Sequence, residues 1–400
     1  MKGKALVGQS GGPTAVINAS LVGAIEGCLE AGVGDSILGM RFGIEGFMRE
    51  ELVDLGKQSA ATRAALAKTP SSVLGSSRYK LRDEDFPRIL ALLRAYDVRF
   101  LFLIGGNDTM DTIHRIEAYC KKQGYELRGI GIPKTVDNDL FGTDHTPGFP
   151  SAARYVALSV MQAGRLARDM QRVDSFVVHQ TIGREAGWLA ASSAAGRRRN
   201  GDAPHLIYLP ERRLSPERVV EEVRACIERH GWCSVVCGEG VLWEDGSPVS
   251  SARERDRFSN TEFGAMGGAS AALGLHRLIR EATGLRGEFQ ITESLSMCAD
   301  DRVSALDRSE AYACGRRAAQ LAAEGRSGVM VSIVRSGTGD YAQGFGTVPL
   351  SEVAVRAKPM PDAFIAPGGS DVTAAFLDYL RPLVGEMPDY GDLEDIAPVN

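Results

Sequence analysis

The densest run of chemistry in this chain is Pro133-Lys134-Thr135-Val136-Asp137-Asn138-Asp139. Two carboxylates at i and i+2 beside a lysine, at the end of an apolar strand, can divide their roles: one accepts a hydroxyl proton and the other holds Mg²⁺. An Asx-rich turn would show the same residues. Their company favours chemistry. Gly105-Gly106-Asn107-Asp108-Thr109 ends another apolar run and adds oxygen ligands and charge. Gly11-Gly12 separate a third run from a helical pattern, a place where backbone N–H groups approach a phosphate at a helix N-terminus, or where glycines serve only packing. Gly75-Ser76-Ser77-Arg78-Tyr79-Lys80 adds a guanidinium able to grip phosphate oxygens in pairs and a lysine point charge, although in isolation it reads as a solvated loop. There is no GxxxxGK[ST] and no clean GxGxxG after a strand, so neither a Walker-type NTPase nor a usual dinucleotide site is indicated.

The elements that must carry these turns follow from periodicity. Lys4 to Gly8, Val98 to Ile104 and Leu127 to Ile132 are apolar runs, each ending in one of the polar turns above, and Val16, Ile17, Leu21, Val22, Ile25, Cys28 and Leu29 recur at helical spacing. The pattern repeats. Ser175 to Val178 leads to Ile182-Gly183-Arg184, His205 to Leu209 to Pro210-Glu211, and Ser234 to Cys237 to Gly238-Glu239-Gly240. Strands alternating with helices imply parallel sheets covered on both faces, with ligands at the strands' carboxyl ends. Two such α/β lobes facing each other would make one cleft. Long helices are expected over Ala271 to Ala282 and Ser309 to Ala323, then a strand from Val329 to Val334 and a glycine-rich hairpin turn within 336–346. Arg197-Arg198-Arg199 reads as a solvated loop, and the acidic tail from Glu386 as loosely held.

Composition narrows the class. A chain of 400 residues with 44% hydrophobic and 24% charged residues is globular and long enough for two to three domains. Its net charge of −5 lacks the positive excess of a general nucleic-acid binder. Seven cysteines without a CxxC argue against a disulfide framework or a structural zinc site and suit a reducing cytoplasm; Cys233 and Cys237 read as a same-face strand pair. No apolar run approaches the roughly 20 residues that span a bilayer, and Lys2 and Lys4 run into a strand without a signal peptide's apolar core. A soluble, cytoplasmic protein with no membrane or nucleic-acid partner is expected.

Taken in order and spacing, Gly11-Gly12, Gly75-Ser76-Ser77-Arg78, the 105–109 and 133–139 turns, Ile182-Gly183-Arg184 and Pro210-Glu211 resemble the phosphofructokinase family, in its pyrophosphate-dependent branch. The likeness runs from residue 4 to about 385 and includes Lys358-Pro359-Met360-Pro361. It implies an α/β fold of two Rossmann-like lobes with parallel-rich sheets flanked by helices and an active site in the interlobe cleft. The donor lobe is expected from 1–148 plus about 262–308, and the acceptor lobe from 149–261 plus about 309–400. The resemblance implies that Asp137 is the general base, with Thr135, Lys134 and Arg78 completing the catalytic set. Asn107 and Asp139 are implied as the Mg²⁺ ligands. Gly11, Gly12, Arg78, Lys80, Asn107, Asp108 and Lys134 are implied to bind the donor, and Thr135, Asp137, Asp139, Ile182, Gly183, Arg184 and Glu211 the acceptor. Ile182 stands where the family commonly has methionine. The family's ATP users carry glycines in place of Asp108 and Lys134; a carboxylate at 108 crowds and repels a nucleotide's inner phosphate, and an ammonium at 134 suits compact pyrophosphate. The implied reaction moves a phosphoryl group from pyrophosphate to a sugar hydroxyl, that of fructose 6-phosphate first, in a homodimer or homotetramer.

The chain departs from its family around the acceptor's phosphate. Phe258-Ser259-Asn260 replaces Phe-Gly-His, Leu295-Ser296-Met297-Cys298 replaces Leu-Gln-Arg-Ser, and Ser175 stands where ATP users place an arginine. Either Arg253, Arg255 and Arg257 hold the same phosphate by another route, or the acceptor is a different sugar, polyol or nucleoside, an unphosphorylated one included. A catalytically silent regulatory subunit is the less favoured alternative, because the poised Asp137, Asp139, Arg78 and Lys134 are all kept.

Overall fold

The computed structural model describes residues 1–77, 79–250, 269–336 and 341–393. The chain opens with β1 (Lys4–Gln9), α1 (Ile17–Ala31), β2 (Ile37–Met40), α2 (Gly43–Met48), β3 (Leu52–Asp54), α3 (Ala60–Leu66) and α4 (Phe86–Ala95). Next come β4 (Val98–Gly105), α5 (Asn107–Lys122), β5 (Arg128–Pro133) and the long α6 (Phe149–Asp169), which leads to the second lobe. That lobe contains β6 (Phe176–Thr181), α7 (Trp188–Ser192), β7 (Leu206–Tyr208), α8 (Pro216–His230), β8 (Cys233–Gly238), α9 (Ala271–Thr283) and β9 (Gly287–Ile291). The chain then returns through α10 (Ala305–Ala323), β10 (Val329–Ser336), β11 (Ala342–Pro349), α11 (Leu350–Val353) and α12 (Ala374–Val384).

Seven strands form the first sheet in the order β11-β10-β5-β4-β1-β2-β3, and four form the second in the order β7-β8-β6-β9. The second sheet is parallel throughout, with Val178 opposite Val235 and Phe289. Among the described residues, antiparallel strands occur only at the two edges of the first, β3 on β2 and β11 on β10. The central strands are apolar on both faces because both are covered: Ala5 and Val7 of β1 join one cluster, with α1 and α10, while Leu6 joins the other, with α4 and α5. In each sheet a central strand has neighbours that follow it on opposite sides, β1 between β2 and β4, β6 between β8 and β9. The crevice at such a switch point is where α/β folds bind ligands.

The expected division of the chain is corrected by sheet membership. Residues 271–291, assigned to the donor lobe, supply α9 and β9 to the second sheet, where Phe176 pairs with Gly287. Residues 305–349, assigned mostly to the acceptor lobe, return to the first: Val329 pairs with Ile130, and α10 lies along α1. The physical reason is the α1–α10 contact. A Cβ on Gly23 would stand 2.0 Å from the Tyr312 carbonyl oxygen, and one on Gly315 2.1 Å from that of Ser20, so glycines on both helices let the backbones touch.

Two surface expectations also change. Arg197 makes a paired ion bridge to Asp371, at 2.6 and 3.0 Å, rather than facing solvent. The tail is clamped as far as it is described. Asp392 accepts from Arg165 at 2.6 Å and Arg168 at 3.0 Å, Asp389 from Arg199 at 3.1 Å, and the Met387 carbonyl from Arg198 at 2.7 Å. Among the described residues no helix is long and apolar enough to cross a membrane.

Candidate active site

The turn after β5 holds the site's centre. Lys134 is 4% exposed, and its Nζ donates to the Gly12 carbonyl at 2.6 Å, which brings the β1 and β5 turns together. A Cβ on Gly11, whose φ is +77°, would lie 3.1 Å from that Nζ, so the close approach suits glycine. Ser76 Oγ donates to the Gly11 carbonyl at 2.5 Å and draws the 75–80 loop to the same place. Lys134's amide donates to the Gly105 carbonyl at 3.1 Å, adding the β4 turn. Burial lowers the ammonium of Lys134 to about 8, while Asp137 and Asp139 oppose that fall.

Asp137 sits among charges from both lobes. Burial first, then Asp139, raise it to about 7, against the pull of Arg184 and Lys134. The side chain remains partly open to solvent. Thr135 Oγ1 accepts the Asp137 amide at 3.1 Å, and its hydroxyl also supports Asp139, whose pKa burial raises. Arg184 is exposed beyond β6. The Gly183 amide donates to Glu239 at 3.3 Å. Glu239 is 7% exposed and is raised to about 7 by burial and then by Asp137. It was not singled out from the sequence; its place in Gly238-Glu239-Gly240, at the end of a buried parallel strand beside the strand of Arg184, was the available signal.

The turn is held from behind by residues that the sequence reading left without a role. Asn138 has a left-handed φ of 55° and is fully buried. Its side-chain Nδ2 donates to Tyr379 Oη at 3.1 Å, and its Oδ1 accepts from the Thr146 backbone amide at 3.1 Å and from Lys358 Nζ at 3.2 Å. Lys358 also donates to the Asp144 carbonyl at 2.8 Å, lies 5.0 Å over the Trp188 ring, and gives its amide to the Asp139 carbonyl at 2.7 Å. Burial lowers Lys358 to about 7. His145 is clamped between Asp144 at 2.9 Å and Glu310 at 2.6 Å. Burial alone would lower its pKa, but those two hydrogen bonds raise it. His179 is buried against Thr292, at 3.1 Å, and burial lowers its pKa to about 4.

The remaining predicted residues are placed unevenly. Asn107 opens α5, and its Oδ1 is buried without a hydrogen-bond partner among the described residues, whereas Asp108 in the same first turn is exposed. Lys80 is exposed and Ile182 half-buried. Glu211 is tied to backbone, accepting the Gly187 amide at 2.8 Å, and burial raises its pKa; its second oxygen is buried without a hydrogen-bond partner among the described residues. Of the positions where the chain departs from its family, Met297 reaches the site, its Sδ 3.7 Å from where a Gly12 Cβ would stand. Ser175 precedes β6 with its amide on the Arg286 carbonyl at 2.8 Å. Arg78, Asn260 and the three arginines at 253, 255 and 257 lie outside the described residues.

Two α/β lobes that converge glycine turns, a buried lysine and paired carboxylates define a group-transfer cleft built for a compact anion. The chain belongs to the phosphofructokinase family, whose profile matches residues 4–322. It is 39% identical to a pyrophosphate–fructose 6-phosphate 1-phosphotransferase of Rhodospirillum rubrum, over 98% of this chain and 97% of that one. The crystal structure of a pyrophosphate-dependent phosphofructokinase from Nitrosospira multiformis superposes with a TM-score of 0.88 at 34% identity, covering 98% of this chain and 94% of that one. A sulfofructose kinase of Alkalicoccus urumqiensis is 34% identical over 90% of this chain and 91% of its own.

Proposed function

We propose that this chain transfers a phosphoryl group from pyrophosphate to the 1-hydroxyl of fructose 6-phosphate. The observation that carries the reading is the buried Lys134 bridging to Gly12 with Asp137 beside it, because it sets a cation at a small-anion site next to a carboxylate poised near neutrality. Asp137 takes the proton of the attacking hydroxyl, and Lys134 and the turn amides near Gly11 and Gly12 receive negative charge as the phosphoryl group moves in line. Thr135 fixes Asp137 through its amide. Arg184 supports the acceptor from the other lobe.

The oxygen set of Asn107 and Asp139 fits a hard divalent cation, and the unpartnered buried Oδ1 of Asn107 is the observation in favour. Magnesium held there would neutralise charge on the donor. Lys80, Asp108 and Arg78 extend the donor side, and Ile182, Gly183 and Glu211 the acceptor side. We assign the chain to a homodimer or homotetramer, on the family's habit of completing acceptor sites from a second subunit, and light scattering on the purified protein checks this.

One observation favours a second acceptor. Met297 at Gly12 and Ser175 before β6 offer no charge where relatives place cations, and a relative of comparable coverage is named for a sulfonated sugar. A sugar whose distal group differs from a phosphate dianion would suit such a pocket. Initial rates with pyrophosphate and magnesium, comparing fructose 6-phosphate with sulfonated and unphosphorylated sugars, polyols and nucleosides, decide between the two.

A further inference from the structure

We propose that Cys226 and Cys233 are a redox modification site, closing to a disulfide on exposure to a peroxide and reopening with a thiol reductant. The pair lies in the second lobe, apart from the cleft. Cys226 is in the last turns of α8, and Cys233 is the first residue of β8. Gly231, left-handed with φ 81°, caps α8 by giving its amide to the Ile227 carbonyl, and so folds the chain back on itself. That reversal brings the two sulfurs and a ring nitrogen of His205 within 4.8 Å of one another.

The two thiols are unequal in the way that oxidation requires. Cys226 is 9% exposed and Cys233 is fully buried, so Cys226 is the less enclosed of the pair and the one proposed to meet a small oxidant first. The neighbouring Cys233, opposed by burial, lowers the Cys226 thiol to about 5, while burial raises that of Cys233; in the reduced protein the Cys226 Sγ donates to the Trp232 carbonyl at 3.5 Å. A thiolate is the nucleophile in this chemistry. Cys226 attacks one peroxide oxygen, the O–O bond breaks, and sulfenic acid and hydroxide (or alkoxide) result. The Cys233 sulfur then attacks the Cys226 sulfur, its proton leaves with the departing hydroxyl as water, and the S–S bond forms. Two thiols lose two electrons, and the peroxide gains them.

A soft metal ion on the same three residues fits less well. His205 Nδ1 accepts the Ser234 amide at 2.9 Å, and Nε2 lies 3.2 Å from the Gly201 carbonyl, so both ring nitrogens are engaged. His230 stacks on the His205 ring at 4.8 Å and holds it in place. Of the other cysteines, 28, 120, 237 and 314 are buried and 298 is partly exposed.

The test treats the reduced full-length protein with hydrogen peroxide, then counts thiols after denaturation and maps linked peptides by mass spectrometry. The expected result is a fall from seven thiols to five, with residues 226 and 233 joined and the mass about 2 Da lower, restored by dithiothreitol. Cys226→Ser and, separately, Cys233→Ala should abolish the linked peptide, with the cleft and its turnover unchanged. Cys226 and Cys233 both remaining as free thiols at peroxide levels that oxidise Cys298 would overturn the proposal. So would a stable sulfinic acid on Cys226 with Cys233 free, or one equivalent of Cd²⁺ bound with thiolate absorption that both variants lose.

Discussion

Asp137 and Lys134 have opposite needs, and the pH dependence follows from them. As the proposed base, Asp137 must be ionised to take a proton; its pKa is raised to about 7, so the rate should fall as pH drops through that value. Lys134 must be protonated to hold an anion, and its pKa is lowered to about 8, so the rate falls again as pH rises past it. A kcat/KM profile should be a narrow bell centred between the two, and a rate that is flat down to pH 5 would contradict the assignment of the base. A positioned base is worth roughly 10² to 10⁴ in rate. Asp137→Asn should therefore lower kcat by about that factor with donor affinity nearly unchanged; turnover within about threefold of the parent would remove Asp137 from the role. At this scale the sequence was most informative about the turn itself. It was least informative about Asn138, Lys358 and Glu239, because their importance comes from partners hundreds of residues away or from a neighbouring strand, and no local spacing encodes those meetings.

Elements decide how rigidly the turn is presented. Lys358 and Tyr379 reach Asn138 and Asp144 from the returning segment, so the catalytic turn is braced by residues near the end of the described chain. Small misplacements of reacting groups cost up to about 10² in rate. Lys358→Met should lower kcat about ten- to a hundredfold in a protein whose circular dichroism is unchanged, and parental kcat would show that the brace is dispensable. The α1–α10 contact makes a separate prediction. Gly315→Ala would place a methyl 2.1 Å from the Ser20 carbonyl, and overpacking of this kind costs about 1–3 kcal/mol. Urea unfolding should show that loss, while an unchanged midpoint would mean that the helices part at little cost. The strands and long helices were legible from apolar runs and helical spacing. The swap of α9 and β9 for α10, β10 and β11 between lobes was not, because parallel strands of similar composition do not announce which sheet accepts them.

For the whole molecule, the turns after β1, β4 and β5 meet at Lys134, and Arg184 and Glu239 beyond β6 and β8 couple electrostatically to Asp137; the proposed function makes the first group the donor side and the second the acceptor side. Donor choice belongs to this scale, since a nucleotide needs room across the cleft that pyrophosphate does not. Replacing both Asp108 and Lys134 by glycine should weaken the use of pyrophosphate and raise the ratio of ATP to pyrophosphate turnover. Asp108 is exposed, so its share acts through charge at the cleft mouth, whereas Lys134 acts by contact. A ratio unchanged in the double variant would assign donor choice elsewhere. The tail and Arg197 show the limit of reading composition as exposure, since opposite charges far apart in sequence met and paired, while Arg198 and Arg199 stay exposed as their sequence suggested.

The central claim is tested most directly by initial rates of the purified chain with fructose 6-phosphate and magnesium, with pyrophosphate and ATP compared as donors by phosphate or ADP release and by formation of fructose 1,6-bisphosphate. The account predicts magnesium-dependent bisphosphate formation with pyrophosphate, a submillimolar KM for fructose 6-phosphate, and ATP slower by at least about 10². Equal rates with ATP, or no turnover of fructose 6-phosphate beside rapid phosphorylation of a sugar lacking that phosphate, would contradict it.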